Sequence, residues 1–182
     1  MKKILIFLIA ILFMTGCSCS MKETNTPKGE VQKLFSDYNS LSSDILVQLD
    51  SVMESENLTE TQKTKYKDVL RKQYEDLKYK IQDEVITDDA AIVNVEIEVY
   101  DLRKIITDAD KYVDDNKDKF YTEGTETIDD EKVWNYKLEE MKKASEKTKY
   151  TIDFSLTKLN NEWVLDDLLE TDRQKIHGLY NK

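Results

Sequence analysis

Residues 91–101, Ala91-Ile92-Val93-Asn94-Val95-Glu96-Ile97-Glu98-Val99-Tyr100-Asp101, decide how the rest of the chain is read. Val93, Val95, Ile97 and Val99 fall on every second position, with Asn94, Glu96 and Glu98 between them. A period of two sends neighbouring side chains to opposite faces of a strand, so one face is apolar and the other charged. Upstream, Tyr79, Ile81 and Val85 alternate with Lys80, Gln82 and Glu84, and Thr87-Asp88-Asp89-Ala90 between the two runs is a turn cluster. The spacing predicts an antiparallel hairpin with one wet face. The Glu row is then a solvated face, not a pair of catalytic carboxylates.

Working outward, Tyr150, Ile152, Phe154 and Leu156 alternate again. Asn160-Asn161 suits a tight turn at positive φ, and Trp163 and Leu165 begin a returning strand. Elsewhere the period is helical. Thr26-Pro27 supplies an N-cap with Pro at the first helical position. From there Val31, Leu34, Phe35, Tyr38, Leu41, Ile45, Leu49, Val52 and Met53 recur at three- and four-residue steps, predicting one long amphipathic helix. Thr59 with Gln62 is a capping-box pair opening a second helix through Tyr66, Val69, Leu70, Tyr74 and Leu77. A third runs from Leu102 to near Phe120, and a fourth opens at Thr125–Thr127 with Val133, Trp134, Leu138 and Met141 on one side. Ile176 to Tyr180 reads as a short tail. The order helix, helix, hairpin, helix, helix, hairpin, tail predicts an α+β fold, with a small curved antiparallel sheet of two hairpins packed against helices. The absence of βαβ alternation excludes doubly wound parallel folds.

Composition removes several functions. The 182 residues hold one His, two Cys, four Gly and one Pro. One His and two Cys cannot build a zinc finger or a disulfide framework. Neither G-x-G-x-x-G nor G-x-x-x-x-G-K-[ST] occurs, so no nucleotide cofactor is expected. A net charge of -10 and a pI near 4.8 argue against nucleic acid as a partner, because duplex binding rests on neutralising phosphates.

Residues 1–16 have the form of an export signal: Lys2 and Lys3, then the apolar run Ile4–Phe13. That run is about half the ~20 residues a spanning helix needs. Met14-Thr15-Gly16-Cys17 follows and resembles the lipobox of bacterial lipoproteins. The resemblance implies cleavage before Cys17 and diacylglyceryl transfer to its thiol, giving a membrane anchor on the outer face of the cell membrane. Cys19 is expected to be inert. Loss of Lys2 and Lys3 leaves 25 basic and 37 acidic residues, a side-chain charge of -12. Residues 17–28 read as a flexible polar tether and 29–182 as a single domain.

Leu77–Ile81, Ala91–Asp101, Tyr150–Leu168 and the tail Lys175-Ile176-His177-Gly178-Leu179-Tyr180 together resemble Firmicute-type lipoproteins with nuclear transport factor two-like (cystatin-like) domains. The resemblance implies a cone-shaped sheet around helices. It also implies either a binding or scaffold role or, as the alternative, an isomerase or dehydratase working in an apolar pocket. For that alternative the candidate bases are Asp101, beside Tyr100, and His177. Asp101 also suits an N-cap at a strand–helix junction, and His177 also suits packing at a terminal turn. The acidic run Asp108, Asp110, Asp114, Asp115 and Asp118 fails as a calcium loop and reads as a solvated helix face. Most of the ten Tyr are expected at the core or its edge, and a Tyr–Trp surface for carbohydrate or peptide is the alternative. The expectation is a non-enzymatic lipoprotein without cofactor or metal, binding a protein, a peptide or a small hydrophobic ligand at the envelope.

Overall fold

A computed structural model describes residues 25–55 and 58–181. The signal segment, Cys17, Cys19 and most of the tether lie outside the described residues. The fold is mixed α+β, with six helices and an open four-stranded antiparallel sheet among the described residues.

The chain enters through helix α1 (Pro27–Ser40). Thr26 caps it by accepting from the Gly29 amide at 3.0 Å, and Pro27 needs no amide partner there. Asn25 exchanges hydrogen bonds with both backbone groups of Trp163. Folded structure therefore starts before residue 29, and the last residues assigned to the tether are docked.

The single long helix expected through Met53 is two helices, α1 and α2 (Ser43–Ser55). Leu41 adopts a left-handed conformation with φ 51°, and the amides of Leu41 and Ser42 bond back to the Tyr38 and Asp37 carbonyls. Those bonds satisfy the end of α1, and Ser42 opens α2. The apolar period runs through the break because both helices bury the same face, with Val31, Phe35, Ile45, Leu49 and Met53 in one core.

Helix α3 (Glu60–Glu75) begins with the expected capping box: Thr59 accepts from Gln62 N, and Gln62 Oε1 accepts from Thr59 N. Strands β1 (Lys78–Thr87) and β2 (Ala90–Tyr100) form the first hairpin, with a register shift between Ile81 and Asp83. Helix α4 (Leu102–Asp115) follows and ends in a 3-10 turn, Lys117–Phe120. The next helix, α5 (Asp130–Lys142), starts later than Thr125–Thr127. Those threonines belong to a turned-back loop closed by the Tyr121–Ile128 bridge, and Asp129 is the side chain that caps the helix. Strands β3 (Lys147–Leu159) and β4 (Glu162–Leu165) turn through Asn160 and Asn161 at φ 51° and 70°. A further helix, α6 (Glu170–His177), leads into the expected tail and takes in its first two residues, Ile176 and His177, before Gly178 closes it at φ 71°.

Strand order is β1-β2-β3-β4, so β2 and β3 join the two hairpins into one meander. The inner face carries Val93, Val95, Ile97, Ile152 and Phe154, each at most 1 % exposed. Helix α1 lies on it: Phe35 stacks on Tyr79 at 4.4 Å and meets Phe154 edge-on at 5.5 Å. The outer face carries the predicted charged row, where Glu96 pairs with Lys149 at 2.7 Å. The Lys149 ammonium holds the Glu96 carboxyl below the usual range. At the far end of that face the polar pattern lapses. Val85 and Ile92 are direct register partners, and both are exposed; Leu159 and Val164, in the second hairpin, are exposed as well.

Candidate functional site

A cavity of about 460 Å³ opens where α3, α4 and α6 meet beside α2. Its walls include Val52, Tyr66, Arg103, Arg173, His177 and Leu179, with Glu170, Gln174 and Asn181 at the same opening. Its volume lies within the range of small-molecule sites.

The frame around it is fixed by backbone contacts. The Gln73 side chain is fully buried and bonds both main-chain groups of Tyr100: Oε1 accepts from the amide at 2.9 Å and Nε2 donates to the carbonyl at 3.1 Å. An α3 side chain thus serves the end of β2 as a neighbouring strand would. Gly178 packs onto the same point, where a Cβ would stand 2.1 Å from the Tyr100 oxygen and 2.3 Å from Gln73 Nε2. The Gly178 carbonyl accepts from the Arg103 amide at 2.8 Å. These bonds tie α6 to the start of α4 and set Arg103 and His177 on adjoining walls.

His177 is hydrogen-bonded through Nδ1 to the Tyr74 hydroxyl at 2.8 Å. Burial, followed by the charge contributions of Tyr38 and Tyr66, raises the Tyr74 pKa, so the phenol keeps its proton. Burial lowers His177 to about 4. Arg173 adds to the lowering, against Glu170. The imidazole is neutral at pH 7, with Nδ1 engaged by the Tyr74 hydroxyl.

The other residues singled out in the sequence are elsewhere. Asp101 caps α4 by accepting from Lys104 N at 3.0 Å. Tyr100 donates to Asp76 at 2.7 Å, and that bond raises its pKa. The aspartate run is laced to lysines: Asp108 to Lys104, Asp110 to Lys137, Asp114 to Lys117 and Asp115 to Lys111. No group of three or more His, Cys, Asp or Glu positioned to hold a metal occurs among the described residues. Of the tyrosines, Tyr38, Tyr66, Tyr74 and Tyr150 are core. Tyr112 and Tyr136 stack at 5.0 Å beside a second groove of about 350 Å³ between α4 and α5.

Arg103 and Arg173 were not singled out by the sequence reading, although one signal was available. The chain has three arginines, at 71, 103 and 173, among 27 basic residues, and two of them line this cavity. Comparison of the chain with protein-family models, with curated proteins and with solved structures gave no match.

Proposed function

We propose that the chain is an extracytoplasmic lipoprotein, cut before Cys17, anchored to the outer face of the membrane by lipid on that sulfur, and working as a binding module. The observation that carries the binding reading is the cavity between α3, α4 and α6. It gathers hydrogen-bond donors and cations suited to recognition, and its histidine, His177, is neutral and held by Tyr74. Phe35, Leu49, Leu70 and Phe154 fill the space between sheet and helices, which favours recognition at the helical end over chemistry within a cone. The likeness to nuclear transport factor two-like lipoproteins belongs to the same proposal, supported by a four-stranded meander with helices against one face. The exposed Val85, Ile92, Leu159 and Val164 offer a surface for a protein or peptide partner at the envelope.

Two acyl chains hold a protein at a bilayer where one alone is marginal. Cys17→Ser should therefore move the protein from the membrane fraction to the soluble one, measured by fractionation and immunoblot. Unchanged membrane retention overturns the anchor. Crosslinking in intact cells tests the module: a discrete partner or ligand adduct is expected, and its absence at every site on the cavity rim and the apolar patch refutes the binding reading.

A further inference from the structure

We propose that the α3–α4–α6 cavity takes a small organic monocarboxylate, its carboxylate held by Arg103 and its apolar tail lying along Val52, Tyr66 and Leu179. This rests on the binding reading above and names the ligand class for that site.

The first support is an orphaned donor. Arg103 Nε is the one buried side-chain nitrogen or oxygen without a hydrogen-bond partner among the described residues. Buried polar groups are nearly always paired, and a charged donor left unpaired is among the costlier exceptions. Nor does the rest of the Arg103 guanidinium form an ion pair with any described residue. Nε itself is closed to water, so the carboxylate meets the two terminal Nη groups, whose planar fork matches its two oxygens.

The second support is charge. The protein carries -10 overall, yet among the described residues this cavity sets Arg103 and Arg173 against Glu170 alone, with His177 neutral. The Arg173–Glu170 contact is long, at 3.8 Å. One positive charge is left in excess, which one negative charge neutralises. A phosphate dianion would overshoot it.

The third support is the remaining wall. Val52 and Leu179 are aliphatic and Tyr66 is 7 % exposed, so part of the remaining wall is apolar, and the cavity is larger than a carboxylate group needs. An acid with a short hydrocarbon tail fits both parts, whereas inorganic anions use only one.

The test is calorimetric titration of the full chain in detergent micelles with hexanoate and phenylacetate. Hexanamide, phenylacetamide and phenyl phosphate serve as comparators. The acids should bind at least tenfold more tightly than their amides and more tightly than phenyl phosphate. Arg103→Gln should abolish the preference for acid over amide, and Arg103→Lys, which keeps the charge and loses the fork, should restore only part of it. Circular dichroism reports whether Arg103→Gln folds. If it does not, Arg173→Gln takes its place, with a smaller loss of the same preference expected. Acids and amides binding alike overturns the carboxylate while leaving a binding cavity. Phenyl phosphate binding more tightly than the acids overturns the monoanion. Acid binding unchanged in both variants, or none of the probes binding, overturns the site, while the module itself is judged separately by the crosslinking above.

Discussion

Acidification should destabilise this fold through one imidazole. The native midpoint of His177 is lowered to about 4, against 6.5 for the unfolded chain. Between those values the unfolded chain binds a proton that the native protein does not, so stability is complete above pH 6.5 and falls as the pH drops towards 4. Each pH unit of the difference corresponds to about 1.4 kcal/mol, which gives a loss of about 2 kcal/mol by pH 5 and about 3 kcal/mol at the limit. The cause is local: burial penalises the imidazolium and outweighs the nearby Glu170 carboxylate, and Arg173 opposes the charge as well. The chain also holds 37 acidic side chains, so the measurement is a difference in which their contribution cancels. Urea unfolding at half-unit steps from pH 5 to 7 should show the protein losing about 2 kcal/mol more than His177→Asn, whose amide oxygen can still accept from Tyr74. His177 is the only histidine, so its ring resonances in an NMR titration need no assignment by mutation. Equal pH dependence of protein and variant, or an NMR midpoint near 6.5, refutes the reasoning.

Gly178→Ala should cost more than the roughly 1–2 kcal/mol of a left-handed alanine, because its Cβ would overlap the Tyr100 carbonyl; denaturant midpoints measure it. The same variant should move the His177 midpoint towards 6.5 as α6 is displaced, which a purely global loss of stability would not do. Phe35→Ala removes a fully buried ring packed on Tyr79 and Phe154 and should destabilise by about 3–5 kcal/mol in the same assay, with the pH dependence unchanged.

Strand β2 was legible because alternation is a strong signal over eleven residues with one buried face, whereas the slip between Ile81 and Asp83, which turns Val85 from the expected apolar face to the outer one, carries no mark in the sequence. Helix α3 was legible for a similar reason, since Thr59 and Gln62 state its start in side-chain chemistry. The break at Leu41 was hidden because a leucine in the left-handed region carries no mark in sequence, and the apolar period continues across it. Helix α6 is eight residues long and buries only Asp172 and Ile176, too few for a period to register. The cavity was the least visible feature. Tyr66, Arg103 and Arg173 come from three helices far apart in the chain, and what brings them together is the clasp of Gln73 and Gly178 on Tyr100. A buried glutamine bonded to backbone looks in sequence like any helix-surface glutamine.

Strand β1 ends the sheet, and its outer edge offers the amides and carbonyls that another chain could extend. The slip between Ile81 and Asp83 divides that edge into two short runs whose hydrogen-bonding directions no longer line up. Lys78 and Lys80 stand on the first run, and Glu84 on the second is engaged by the amide and the ammonium of Lys28. A straight incoming strand could match one run only, and would meet charge on both. The irregularity that looks like a flaw in the first hairpin is thus a guard against fibril growth, set on the longer of the two edges by which this sheet could propagate.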